Sequence, residues 1–178
     1  NGMYSFVLYD KNLSKLFIVR DRMGVKPLYY YFNNGVFYFS SELKSIISIP
    51  GVSKEIDYDS LSTYLDIMYI PSPNTPFLKI KKLNSGSFLE FNDGKITQKE
   101  YWSPCLPENY NNNSISVWSD ELFELIQDSI KLQLRSDVPL GSFLSGGIDS
   151  SSITSLAAMN SSKKISTFNV YWTDVKTK

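Results

Sequence analysis

The chain of 178 residues balances 18 Lys+Arg against 18 Asp+Glu, so its formal net charge is zero and no basic surplus asks for a nucleic-acid partner. Hydrophobic residues make up 42% and aromatics 15%, enough for the packed core of one domain or of parts of two. There is no histidine and one cysteine, Cys105, which excludes within this chain Ser-His-Asp and Cys-His catalysis, HExxH zinc sites and an internal disulfide, and fits a reducing, cytoplasmic setting. No apolar run approaches the roughly 18 residues of a membrane helix, so no membrane is expected.

In chain order, residues 3–8 and 16–20 are apolar, β-branched or aromatic runs separated by Asp, Asn and Ser, the pattern of a hairpin. Residues 28–32 and 36–39 repeat it around Asn33-Asn34-Gly35, where Asn and Gly tolerate the positive φ of a tight turn. A short helix is predicted over 42–49. A longer one is predicted over 57–69, where Leu61, Tyr64, Leu65 and Met68 form one apolar stripe behind Asp57 and Asp59. Pro71, Pro73 and Pro76 end it and predict an extended surface loop. Strands over 87–91 and 96–101 flank Asn92-Asp93-Gly94. The aromatics of 29–32 and 37–39 read as two-sided sheet packing rather than base stacking. Arg20, Asp21, Arg22 and Lys26 read as an ion-pair network fixing a turn at Gly24, and Lys79, Lys81 and Lys82 as a solvated edge. Residues 103–115, rich in proline and asparagine, read as a linker.

Beyond the linker the period changes. A helix over 119–135 is carried by Trp118, Leu122, Leu125, Ile126, Ile130 and Leu134. A buried strand over 138–144, a helix over 150–159 and a second buried strand over 165–170 follow, the opening of a parallel α/β domain.

The chemistry is concentrated in Phe143-Leu144-Ser145-Gly146-Gly147-Ile148-Asp149-Ser150-Ser151, between a predicted strand and a predicted helix. Ligands of open α/β sheets bind beyond the carboxyl ends of the strands, and a helix N-terminus there offers unpaired N–H groups to an anion. Gly146 and Gly147 let the backbone turn sharply and approach an oxyanion; Ser145, Ser150 and Ser151 add hydroxyl donors. Asp149 would repel a bare phosphate but suits one bridged by Mg²⁺, so the loop reads as a site for a Mg-nucleotide. The Walker lysine and the GxGxxG pattern are both absent. The alternative is a turn that only caps the following helix, with Asp149 as N-cap.

The form SGGxDS resembles the pyrophosphate loop of the ATP pyrophosphatases, and the likeness extends further. Ser136-Asp137-Val138-Pro139-Leu140-Gly141 leads into the loop as in class-B, glutamine-hydrolysing asparagine synthetases. Arg20-Asp21-Arg22-Met23-Gly24-Val25-Lys26-Pro27-Leu28-Tyr29-Tyr30 and Ser40-Ser41-Glu42-Leu43-Lys44 resemble stretches of that family's glutaminase domain, and Tyr69-Ile70-Pro71-Ser72-Pro73 its connecting segment. The resemblance implies an α/β protein in three parts. Residues 1–102 would be the α+β end of an N-terminal-nucleophile glutaminase sandwich, 103–115 a linker, and 116–178 the start of an adenine-nucleotide α-hydrolase-like parallel domain.

It also implies glutamine, ATP with Mg²⁺, and aspartate or another carboxylate as partners, and it allows a homodimer. The implied reaction amidates aspartate to asparagine through a β-aspartyl-adenylate, releasing AMP and pyrophosphate. Phe143, Ser145, Gly146, Gly147, Asp149, Ser150, Ser151 and Val170 would hold ATP, Asp149 also the metal; Phe143 and Val170 read equally well as core. The nucleophilic cysteine is expected upstream and further substrate residues downstream. No residue here is therefore assigned a catalytic role, Cys105 included, and the chain alone is expected to be inactive. An amidotransferase of the same plan acting on another carboxylate, of a surface polysaccharide or a natural product, is the nearest rival, because Tyr171-Trp172 replaces a small residue followed by an apolar one. An RNA-modifying pyrophosphatase and a non-catalytic scaffold are more distant.

Overall fold

A computed structural model describes residues 2–105 and 113–171. The chain divides into two compact units, Asn1–Leu106 and Pro107–Lys178. Most of the expected linker and Trp172 lie outside the described residues.

Unit 1 is built from hairpins. Strands β1 (Ser5–Asp10) and β2 (Lys15–Arg20) pair antiparallel, with the Asp10 carboxylate accepting from the Asn12 and Leu13 amides in the turn. Strands β3 (Tyr29–Asn33) and β4 (Val36–Ser40) close on Asn34-Gly35, both at positive φ, which is what the sequence predicts for a two-residue turn. β5 (Ile80–Lys82) joins the other side of β3. β6 (Ser87–Asn92) and β7 (Lys95–Glu100) close on Asp93-Gly94, again at positive φ. Two antiparallel sheets result, ordered β1-β2-β6-β7 and β4-β3-β5.

The aromatic run packs on both faces, as expected. Tyr30 and Phe37 lie against the Ile18–Leu28–Leu83–Leu89 core between the sheets, and Phe37 stacks on Phe91 at 5.3 Å. Alternate positions Tyr29, Tyr31 and Tyr38 turn the other way, toward Ile46, Val52 and Ile80. Ile46 belongs to helix α1 (Leu43–Ile47), shorter than predicted.

Helix α2 (Tyr58–Ile67) departs from its sequence pattern. Its N-cap Asp57 accepts from the Ser60 amide and hydroxyl, at 3.1 and 2.9 Å, and Ser60 is the residue it buries. Leu65 of the expected inward stripe is 77% exposed. The proline loop departs too: Thr75 and Ile70 are buried, with the Thr75 hydroxyl bonded to the Ile80 carbonyl at 2.7 Å. Lys82 is no solvated edge. Its ammonium reaches the Ile70 carbonyl over the Tyr69 ring, and burial, then the nearby Arg20 charge, hold it below the usual lysine range.

Unit 2 begins with α3 (Ile115–Gln133), four residues earlier than predicted because Ser114 caps it by accepting from the Val117 amide. β8 (Gly141–Phe143), α4 (Ile148–Asn160) and β9 (Ser166–Phe168) form the expected parallel β-α-β unit, in register Gly141↔Ser166 and Phe143↔Phe168. Its core is Ile130, Leu156 and Ala157, flanked by Ile126, Leu134 and Ile165. The two strands are not buried as predicted. The helices cover one face of this two-stranded sheet, and no described element covers the face that carries Phe143 and Phe168. Among the described residues no helix is long and apolar enough to cross a membrane.

Candidate functional site

The Ser145–Ser151 loop joins the carboxyl end of β8 to the N-terminus of α4. Its strand end is held by the Leu144 amide, which donates to the Phe168 carbonyl at 2.8 Å, and its helix end by the Ser151 amide donating to the Gly147 carbonyl at 3.0 Å. Gly146 takes the left-handed φ of +84°, and a Cβ there would meet nothing within 4 Å. Its glycine is therefore required by backbone conformation, while the space above it is open to a ligand. Gly147 is the N-cap, and no side chain caps the helix. The capping alternative for Asp149 is thereby set aside: Asp149 sits in the first turn, exposed, leaving the leading amides free to meet an anion.

The hydroxyls converge across the loop. Ser145 Oγ and Ser150 Oγ lie 3.1 Å apart, and the Ser150 hydroxyl lies 3.1 Å from the Gly147 carbonyl. Two serine hydroxyls, paired with each other, thus lie beside an uncapped helix N-terminus and a left-handed glycine. The loop itself supplies one carboxylate, Asp149. Among the described residues no three His, Cys, Asp or Glu side chains converge. A Mg²⁺ held here would take Asp149 plus phosphate oxygens and water, the usual shell of a nucleotide-bound magnesium.

Phe143 and Val170, expected to hold ATP or to belong to a core, are 79% and 75% exposed among the described residues. They lie near the carboxyl ends of β8 and β9, the side from which the loop springs. A cavity of about 480 Å³ between α3, α4 and β8 contains none of the loop residues and is a separate feature.

The sequence reading missed a bond behind the loop: Ser142 Oγ on β8 lies 2.8 Å from Thr154 Oγ1 on α4. No periodicity marks two hydroxyl residues twelve apart as partners; only the β-α geometry brings them together. In unit 1 the charged cluster is not an ion-pair network. Arg20 donates to the carbonyls of Gly24, Lys26 and Leu83, and Asp21 accepts the Val25 and Lys26 amides at 2.9 Å each. The cluster does fix the turn at Gly24, but with backbone partners.

Residues 1–102 match the glutamine amidotransferase domain family and residues 121–178 the asparagine synthase family. Asparagine synthetase [glutamine-hydrolyzing] 1 of Bacillus subtilis is 40% identical over 161 residues, which is 88% of this chain and 24% of that protein. Asparagine synthetase [glutamine-hydrolyzing] 3 of the same organism is 35% identical over 159 residues, 89% of the chain and 26% of that protein. A Methanocaldococcus jannaschii protein assigned as asparagine synthetase [glutamine-hydrolyzing] 2 is 36% identical over 173 residues, 96% of the chain and 34% of that protein. The chain thus spans about a third or less of the relatives it matches.

Proposed function

Because the chain belongs to the glutamine-hydrolysing asparagine synthetase family, we propose that it contributes the closing part of a glutaminase domain and the pyrophosphate loop of a synthetase domain to an enzyme that amidates aspartate with ammonia drawn from glutamine. The observation that carries the reading is the uncapped N-terminus of α4, with Ser145 and Ser150 paired over a left-handed Gly146. In this reading Ser145, Gly146, Gly147, Ser150 and Ser151 bind the β and γ phosphates of ATP. Asp149 takes the Mg²⁺, and the exposed Phe143 and Val170 border the adenosine. The chain's N-terminal part resembles the end of a nucleophile-type glutaminase sandwich, and unit 2 the start of an adenine-nucleotide α-hydrolase domain.

A carboxylate is a poor electrophile. Transfer of adenylate to the aspartate side chain makes a β-aspartyl-adenylate from which ammonia displaces AMP. In this reading the loop holds the departing pyrophosphate through the leading amides of α4 and its serine hydroxyls, so that charge developing on the leaving group meets fixed dipoles rather than reorganising water. When bound, Mg²⁺ would neutralise the phosphates beside Asp149.

A second reading keeps the plan and changes the acceptor. Tyr171, three residues beyond β9 and 79% exposed, departs from the family's small residue there and supports a carboxylate other than aspartate. The test is AMP release by the full-length protein with MgATP and ammonia, with L-aspartate present or omitted. Strong aspartate dependence, lowered about 100-fold or more in Asp149→Ala, is the expected result. MgATP binding without aspartate dependence would overturn the aspartate assignment and leave the second reading.

A further inference from the structure

We propose that Ser142 and Thr154 are positioning residues for the pyrophosphate loop: their hydroxyl pair sets the distance between the end of β8 and the N-terminus of α4, and through it the spacing of the loop's anion donors. The inference rests on the reading of Ser145–Ser151 as a pyrophosphate site. The loop has little to hold its own shape. Gly146 is unpacked, Gly147 caps α4 without a side chain, and the hydroxyl bonds of Ser145 and Ser150 stay within the loop and its first turn. Its geometry is therefore inherited from the two elements it joins. Among the described residues, Ser142–Thr154 is the side-chain hydrogen bond that ties β8 to α4. It lies one residue inside the strand's end and in the second turn of the helix, directly behind the loop.

The chemistry of the pair argues for this role. Ser142 points from the strand to the helix-covered face, where Ile130, Leu156 and Ala157 form the core and where an apolar side chain would be the ordinary choice. Apolar packing is tolerant of sliding by a few tenths of an ångström; a 2.8 Å hydroxyl pair is directional and is not. Both side chains are half-buried and have no other hydrogen-bond partner among the described residues, so each depends on the other. Ser142 and Thr154 also stand outside the residues that carry the resemblance to pyrophosphate loops. They act on the anion only through the loop they space.

The experiment uses the full-length protein and measures the KM for MgATP, inhibition by magnesium pyrophosphate, the KM for ammonia, and urea stability. Ser142→Ala and Thr154→Val are each expected to raise the MgATP KM and weaken pyrophosphate inhibition about fivefold, the fold-change of one lost hydrogen bond. The ammonia KM should not move. The double variant should be no worse than either single one, since both break one bond. Ser142→Thr and Thr154→Ser, which keep the hydroxyls, should restore wild-type values. Variants that lose urea stability while the MgATP KM and pyrophosphate inhibition stay unchanged would overturn the proposal and leave the pair a packing feature. In that case Asp149→Ala would still lower AMP release about 100-fold or more, so the loop reading survives. A wild-type protein that neither binds magnesium pyrophosphate nor releases AMP would overturn both.

Discussion

The two units use the same kinds of apolar residue to different ends. In unit 1 the core closes: Ile18, Ile80 and Leu83 are fully enclosed, and three layers form from sheet, sheet and α1. In unit 2 the described elements bury three apolar residues, while Ile148, Phe143 and Val170 stand in the open around the loop. A closed core rewards every inward residue with burial. A two-stranded parallel sheet with helices on one face cannot, and among the described residues it leaves bare the rim and face nearest the Ser145–Ser151 loop. The described core is thus larger in unit 1 than in unit 2, and substitutions should read the two separately.

The largest effect should come from Ile18→Ala in unit 1. Ile18 sits at the centre of the inter-sheet core with no exposed surface. Truncation removes its transfer free energy and leaves a cavity, for an expected cost of about 2–5 kcal/mol. Urea denaturation of the chain, followed by tyrosine and tryptophan fluorescence, reads it. A loss below about 1 kcal/mol would mean that this core is not what holds the unit together.

Acid acts next on unit 1. Burial alone would raise the Asp21 carboxyl, but the amides of Lys26 and Val25 outweigh it and hold Asp21 below its ordinary value. Asp57, bonded to the Ser60 amide and hydroxyl, is held low as well. A carboxylate with a depressed folded value contributes stability that is complete above its unfolded value, about 3.9, and that is lost as pH falls through the folded value. The urea midpoint should therefore stay level from about pH 7 to 5 and fall below about pH 4. Asp21→Asn replaces one acceptor by an NH₂ facing a buried amide, so it should cost about 1–3 kcal/mol at neutral pH. It should also flatten part of the acid limb; an unchanged limb would assign acid sensitivity to Asp57 instead.

Legibility in the sequence divides along the same line. Turns were readable wherever backbone chemistry demands particular residues: Asn34-Gly35 and Asp93-Gly94 both take the positive φ that their side chains permit. The strand-loop-helix order around Ser145–Ser151 was readable because glycines, hydroxyls and one acid in that order have few other uses. Burial was not. The stripe of α2 has helical period, yet Tyr64, Leu65 and Met68 are exposed among the described residues, because period marks a face and not what covers it. The Arg20 cluster was legible as a turn-fixing group but not in its partners, because backbone carbonyls of residues as distant as Leu83 leave no mark in sequence. The Ser142–Thr154 bond was invisible for the same reason.

The smallest effect tests the comparison most directly. Read as a strand residue, Phe143 belongs in a core, where Phe→Ala costs about 3–5 kcal/mol. In the structure it is 79% exposed, with its ring 6.4 Å from Phe168. Little apolar surface leaves water there, and the tilted aromatic pair is its chief contact, so Phe143→Ala should lower the stability of this chain by less than about 1 kcal/mol. The same substitution in the full-length protein should raise the KM for MgATP if the residue borders the adenosine. A stability cost of several kcal/mol in the isolated chain would mean that the bare face of β8 and β9 is covered after all, and would erase the contrast between the two units. A small cost with a raised KM would place Phe143 with the loop.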